Sequence, residues 1–414
     1  MTQFLKQKLN LLTSSPSFWF TILKYLEVAI TTITTFLIAS KVGPSEMGKA
    51  IPILLYVTYA NYLTLGVNQV IIKNYSRLKE NGNILSFITI NFQYILVVCL
   101  LNFLLSFLVI DSRFFFFTAL VSSAILLRSF FATYFRVINN IRILNKNNLI
   151  YSFILMILVY FFVENWFAYM VFWSFSMCFC VMLYFVDSFS FFKNIIKNIL
   201  KKPKKNTLLF SISEGVKLAL IGGFTTLVLT SDRFVINRID APLELKGSYQ
   251  LADYVGMAIY IGITTVVFYF YPQYIERIRN DINFRKRLGK ILKLALLLIL
   301  PFISLVYLVS SFVTLFIFKD YENLAIYISL NCYIKLLVIL LSTYGMLYIG
   351  LDKEKDFLKS LIPLTVIILA VVITIILMND IELFYIPMCI SFLLTLEVIR
   401  KTLFVNKTLI GSYE

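Results

Sequence analysis

The chain has 414 residues, 60% hydrophobic and 14% charged, with 38 Lys and Arg against 22 Asp and Glu and no histidine. A mean hydropathy of +0.85 excludes an ordinary soluble domain, whose composition runs to about 25% charged residues. The missing imidazole excludes His-based triads, imidazole metal sites and imidazole proton relays.

Apolar runs recur near residues 18–40, 47–72, 84–110, 114–138, 147–163, 166–186, 208–236, 248–272, 292–318, 324–350, 359–378 and 382–405. Each is long enough to cross a ~30 Å hydrocarbon core as a helix. None shows the two-residue alternation of a barrel strand, so the fold class expected is an all-α polytopic membrane protein of about twelve helices. The linkers alternate in charge. Lys6 and Lys8 precede the first run, and Lys73, Arg77 and Lys79 follow the second. Arg136, Arg142 and Lys146 follow the fourth, and a run including Lys193, Lys201, Lys202, Lys204 and Lys205 follows the sixth. Arg277 to Lys293, Lys353 to Lys359, and Arg400 to Lys407 continue the series. The opposite linkers, such as Asp111-Ser112-Arg113, Glu164-Asn165, Lys319-Asp320-Tyr321-Glu322 and Asn379-Asp380-Ile381-Glu382, are short and poor in cations. The excess of Lys and Arg on one side places both termini in the cytoplasm. It therefore speaks for membrane topology and against a nucleic-acid partner.

The longest polar linker divides the chain into a bundle over 1–190, a basic cytoplasmic linker over 191–207 and a second bundle over 208–414. Each half has a Pro/Gly linker after its first helix, Gly43-Pro44 to Gly48 and Pro242 to Gly247. Two six-helix bundles with a central cavity between them are the plan of many transporters.

Ionisable residues deep in a span are costly and point to function. Lys24, Glu27, Thr31 and Thr35 fall on one face of the first helix. Arg128 has no acidic residue in its own helix, so it needs a carboxylate on another helix or an anionic ligand. In the seventh helix Glu214, Thr225 and Asp232 share a face, Lys217 lies one turn from Glu214, and Gly222-Gly223 could let the helix bend. Asp232-Arg233 reads as a structural pair at the helix end. Asp253 aligns with Tyr260 and Thr264, and Lys335 with Asn331 and Ser342. Asn61 and Asn68, seven residues apart, share a face and suit interhelical hydrogen bonding. If Lys24, Arg128, Lys217 and Lys335 converge, they make a cationic cavity for a phosphate- or uronate-bearing substrate. Glu27, Glu214 and Asp253 could balance that charge or bind a coupling Na⁺ or H⁺. The five cysteines, all within spans, read as small apolar packers, with no metal site and no cofactor expected.

The segment Lys41-Val42-Gly43-Pro44-Ser45-Glu46-Met47-Gly48, then Leu65-Gly66-Val67-Asn68 and a basic end at Lys73, resembles the opening of the polysaccharide-transport flippases. These belong to the multidrug/oligosaccharidyl-lipid/polysaccharide exporter superfamily. Ser231-Asp232-Arg233-Phe234-Val235-Ile236, Pro242 to Gly247, Tyr249, Ala252 and Tyr271-Pro272 resemble the same family's pattern around helices 7 and 8. Met47 stands where an aromatic is usual, and Ser248 separates Gly247 from Tyr249. The resemblance implies a non-enzymatic flippase for O-antigen or capsule repeat units on undecaprenyl pyrophosphate, working by alternating access in the bacterial inner membrane. The lipid bilayer and polysaccharide polymerase machinery are the partners it implies.

Two other readings compete. A multidrug antiporter of the same superfamily would favour an acid-rich cavity for cationic drugs. A membrane-embedded polymerase or ligase would carry a sizeable outward loop, and no outward linker here is long. The chain also has no Gly-x-x-x-x-Gly-Lys-Ser/Thr loop for a nucleotide-driven pump.

Overall fold

The structure is a computed structural model that describes residues 16–408, apart from 81–83, 139, 190–191, 194, 196–204, 270, 352 and 379–381. The basic linker expected at 191–207, the cations Lys6 and Lys8, and Asn379-Asp380-Ile381 lie wholly or largely outside the described residues. The described residues are mostly helical: α1 (Pro16–Ala60), a 3-10 turn (Asn61–Thr64), α2 (Val67–Glu80), α3 (Ile84–Val109), α4 (Phe115–Val137), α5 (Ile141–Phe162), α6 (Trp166–Asp187), α7 (Lys205–Arg238), α8 (Leu243–Tyr269), α9 (Tyr271–Asn280), α10 (Ile282–Phe316), α11 (Leu324–Gly350), α12 (Glu354–Met378) and α13 (Tyr385–Thr408).

Eight of the described helices are long and apolar enough to cross a membrane. The expected count of about twelve is met when α1 is divided at its kink and α2 and α9 are taken as continuations of the passes before them. The kink is at Gly43, whose φ of 78° and ψ of 171° no other residue type adopts readily. The expected linker at 43–48 is therefore a single non-helical residue followed at once by Pro44 at a helix start, where its missing N–H costs nothing.

The second expected span breaks as well. Leu65 and Gly66 both have positive φ, 47° and 72°, and the chain passes through them from the 3-10 turn into α2. This corrects the shared face expected for Asn61 and Asn68. Asn61 is exposed, whereas Asn68 is buried and donates to Ser129 Oγ at 3.1 Å.

The chain folds as two compact units. The first comprises residues up to Ile38 together with Pro52–Gly222, and the second comprises Ala39–Ile51 and Gly223 onward. The division therefore does not follow the midpoint linker alone. The segment 39–51 of α1 belongs with the second unit, and α7 passes from one unit to the other at Gly222-Gly223.

In the first unit α4 is the central helix, packed against α2, α3, α5 and α6. Its buried Phe130, Phe131 and Phe135 join Phe92, Tyr184 and Phe192, with Phe131 stacked on Tyr184 at 6.0 Å and against Phe192 at 4.9 Å. Asn102 of α3 ties α3 to α4. It donates to Ala119 O at 3.1 Å, Ser122 Oγ at 2.8 Å and Ser123 Oγ at 2.9 Å, and accepts from Tyr56 OH at 2.9 Å. Gly66 and Gly215 also meet in this unit. A Cβ on Gly66 would overlap the Gly215 carbonyl, and one on Gly215 the Leu65 carbonyl.

In the second unit α11 is central, packed against α8, α10 and α13. Gly256 of α8 lets the two helices approach, since a Cβ there would sit 3.2 Å from Asn331 and 3.3 Å from the Lys335 stem. Tyr333 meets Thr395 at 2.8 Å and Tyr344 meets Thr402 at 2.6 Å, tying α11 to α13. The segment 39–51 is locked to the start of α8 by two glycines. A Cβ on Gly48 would overlap the Leu243 carbonyl, and one on Gly247 the Pro44 carbonyl. Tyr321, in the linker expected to face outward, is buried and donates to Ala39 O at 2.7 Å.

Candidate functional site

Among the described residues, each unit holds a buried ion network that joins separate helices, and the two differ in charge balance and in access; a further group, Glu397 with Arg400 and Lys401, lies within α13.

The network of the first unit centres on Glu27 of α1, which is 8% exposed. Lys24 Nζ lies 2.8 Å from Glu27 Oε2, one turn back on the same helix. Arg128 Nη2 approaches Glu27 Oε1 at 3.5 Å from α4. The cross-helix carboxylate that the sequence demands for Arg128 is thus Glu27. The guanidinium is held from the other side by Asn148 of α5, whose Oδ1 accepts from Nε at 3.1 Å and from Tyr184 OH at 2.8 Å. Its carbon also sits 5.1 Å from the centre of the Tyr151 ring, and Trp173 Nε1 donates to that residue's hydroxyl at 3.1 Å. Thr31 and Thr35 do not join the network. Their hydroxyls donate to the carbonyls of Glu27 and Thr31 at 2.8 and 3.0 Å, and the buried side of α1 runs instead through Glu27, Ile30, Thr34 and Ile38.

Two cations face one carboxylate here, so among the described residues the network carries a surplus positive charge. Both cationic side chains keep 22% of their surface exposed. A surplus positive charge that keeps part of its surface exposed has the chemistry to pair with an anion. The oxygens of Glu27 are already occupied by cations, which makes them poor ligands for a further one.

The network of the second unit centres on Asp253 of α8. Lys335 Nζ of α11 lies 2.8 Å from Asp253 Oδ1, and Arg233 Nη1 of α7 lies 3.2 Å from Oδ2. Lys335 also donates to Leu229 O at 2.9 Å, a carbonyl of α7. Asp232 accepts from its neighbour's backbone, Arg233 N, at 2.9 Å and from the Tyr249 hydroxyl. Two carboxylates match two cations, and the Lys335 and Asp253 side chains are 0% and 1% exposed. This network joins α7, α8 and α11, and it presents no free charge to a ligand.

Two groups of the sequence-predicted site residues form within the units: Lys24, Glu27 and Arg128 in the first, and Lys335 and Asp253 in the second. Glu214 lies half-buried on α7, and the side chain of Lys217 lies outside the described residues. The Thr264 hydroxyl donates to Tyr260 O at 2.7 Å, within its own helix. Asp232 and Arg233 find partners on α8: Tyr249 for the aspartate and Asp253 for the arginine. Sequence reasoning missed Asn148, Tyr151 and Tyr184. The run Asn145-Lys146-Asn147-Asn148 at the start of α5 was a usable signal, because amides entering an apolar span must find partners.

The sequence matches no protein-family model and no curated protein. Solved structures do match over nearly the whole chain. A multidrug resistance MATE family transporter of the MOP superfamily in an outward-facing conformation superimposes with a TM-score of 0.63 at 12% identity, covering 98% of each chain. The lipid II flippase MurJ in an inward closed conformation gives 0.67 at 17% identity, covering 94% of this chain and 87% of that one. A MOP superfamily transporter from Pyrococcus furiosus gives 0.58 at 12% identity, covering 96% of each. The chain has the fold shared by these MOP superfamily transporters and MurJ.

Proposed function

We propose that the protein is a flippase that moves an undecaprenyl-pyrophosphate-linked oligosaccharide, an O-antigen or capsule repeat unit, across the bacterial inner membrane by alternating access, with both termini cytoplasmic. The observation that carries this reading is the surplus, partly exposed positive charge of Lys24 and Arg128 around Glu27. Pyrophosphate is the part of such a substrate that most resists leaving water. A guanidinium with two donors and an ammonium beside it offset that desolvation. Lys24 and Arg128 receive the headgroup in this reading, and Glu27 balances them between cycles. Lys335, Arg233 and Asp253 hold the second unit together instead of touching substrate. The fold shared with a lipid II flippase supports a lipid-linked cargo, and the resemblance of Gly43 to Gly48 and of Asp232 to Gly247 to the polysaccharide flippases supports an oligosaccharide on it.

The reading is tested with the full chain in liposomes, following protection of an undecaprenyl-pyrophosphate-linked, fluorescently tagged sugar from an external quencher. Wild type should move the lipid, and R128Q and K24Q should each slow it at least about tenfold, as expected when a charge-assisted contact to phosphate is lost. Equal movement by wild type and R128Q, or movement of a cationic dye in place of the lipid, would overturn it. The second result would favour the multidrug antiporter reading.

A further inference from the structure

The N-terminal third of α10 carries Lys286, Arg287, Lys290 and Lys293, all exposed. Arg287 and Lys290 lie on the side of the helix turned away from the buried Leu292, Ile299 and Ser310, and Lys286 and Lys293 flank that side, one turn before and after the buried Gly289. The helix packs against α11, where Ser310 Oγ donates to Ala325 O at 3.4 Å. Lys286, Lys290 and Lys293 are in line with Leu297, Leu300 and Leu308, which are 73%, 65% and 65% exposed, and Arg287 is in line with Leu294, Leu298 and Leu305, at 56%, 54% and 58%. One continuous helix surface therefore changes from cationic to largely apolar between Lys293 and Leu294, with Ser304 bonded back to Leu300 O at 3.1 Å. From Leu294 to Phe316 the helix rises about 34 Å, close to the ~30 Å hydrocarbon core. With that stretch in the acyl chains, the four cations stand at the level of the phosphates.

The start of α10 is also held in place. Asp281 caps it, accepting from Asn283 N at 2.8 Å and Phe284 N at 3.1 Å. Phe284 stacks on Tyr274 of α9 at 5.9 Å, with the Arg277 guanidinium 5.9 Å from its ring. Ile278 of α9 fills the space left by the absent side chain of Gly350 on α11. A capped, packed helix start displays its charges at a fixed height, which a flexible basic tail would not.

We infer that this elbow between α9 and α10 is a binding surface for anionic phospholipid headgroups of the surrounding bilayer. The cations lie on the lipid-facing side, so the ligand reaches them from the membrane. The inference depends on the apolar face of α10 meeting lipid, and it stands whether or not the proposed cargo is correct.

The test uses the full chain in nanodiscs of equal parts phosphatidylglycerol and phosphatidylcholine, transferred to detergent and analysed by native mass spectrometry. Wild type should retain phosphatidylglycerol over phosphatidylcholine by about tenfold, given the attraction of several cations at one headgroup plane. The variant K286Q/R287Q/K290Q/K293Q should lose the preference, and the charge-conserving variant K286R/K290R/K293R should keep it, which separates charge from misfolding. Equal retention of the two lipids by wild type, or an unchanged preference in the glutamine variant, would overturn the inference. So would a stronger preference for undecaprenyl phosphate when it replaces phosphatidylglycerol, because that would make the elbow a cargo site.

Discussion

The Lys335 ammonium and the Asp253 carboxylate face each other at 2.8 Å between α11 and α8, neither side chain more than 1% exposed. A pair withdrawn this far adds little net stability against an apolar replacement of both members. Removing one member, however, leaves a buried charge unmatched and costs about 3–5 kcal/mol. Asp253 serves two cations and Lys335 one carboxylate, so D253N should destabilise more than K335M. The measurement is the fraction of protein that stays monodisperse after a heating series in detergent. K335M should lower the midpoint while leaving headgroup binding by the surviving folded protein unchanged. A K335M protein as stable as its parent but deficient in binding would return Lys335 to the substrate-contacting set.

Glu27 gives the opposite expectation. Its carboxylate occupies the cations that are proposed to receive phosphate. E27Q removes the competing charge, keeps the volume and leaves an acceptor for Lys24. Binding of undecaprenyl pyrophosphate to E27Q should tighten by roughly fivefold, on the order of 1 kcal/mol for a partly exposed ion pair, and weaken again as salt screens the site. Titration calorimetry at two ionic strengths reads both effects. Weaker binding by E27Q would mean that the carboxylate organises Lys24 and Arg128 for the ligand instead of competing with it.

The helices were legible because apolar length and alternating linker charge are local properties, and both are readable residue by residue. Arg128 was legible as a residue in need of a partner, since its own helix has no acid. Its actual partner was not, because Glu27 is 101 positions away and nothing in periodicity pairs α1 with α4. The expectation for Lys24, Arg128, Lys217 and Lys335 weighed each deep cation alike. Within each unit the carboxylates distinguish them: Asp253 pairs with Lys335, whereas Lys24 and Arg128 share the single Glu27. The shared face of Asn61 and Asn68 assumed an unbroken helix, and the positive φ at Leu65 and Gly66 removes that premise. The Leu-Gly-Val sequence there carries no strong turn signal of its own.

Gly48 and Gly247 let the two Pro/Gly segments pack backbone to backbone. Each glycine faces a backbone carbonyl of the other segment, Leu243 for Gly48 and Pro44 for Gly247. A backbone carbonyl cannot turn aside as a flexible side chain can, so even one methyl group forces the segments apart. Beside them Lys246 Nζ donates to Ile239 O at 2.8 Å, and burial lowers its pKa below the ordinary lysine value, with Asp240 opposing the shift. G48A and G247A should each cost about 1–3 kcal/mol through overpacking. The double variant should cost less than the sum, since one separation relieves both overlaps. Thermal midpoints of the four proteins in one detergent provide the cycle. Strict additivity would mean that the two glycines do not belong to one contact.

Asn102 offers the sharpest test of packing in the first unit. Its side-chain nitrogen supplies Ala119 O, Ser122 Oγ and Ser123 Oγ on α4, and its oxygen accepts the Tyr56 hydroxyl of α1. The residue is fully buried, so no water is at hand to replace it. The Ser122 hydroxyl can fall back on Thr118 O at 2.6 Å and Tyr56 on Asn102 O at 2.9 Å. N102L is therefore expected to cost about 2–3 kcal/mol, set by the acceptors on α4 left without a donor and by poor fit, and not by the sum of all its hydrogen bonds. N102L/S122A/S123A should recover part of that loss, because it removes two of the stranded hydroxyls along with the amide. Transport by the folded fraction should be unchanged in both variants, since Asn102 belongs to neither ion network. A loss of transport at full stability would show that this node moves during the cycle.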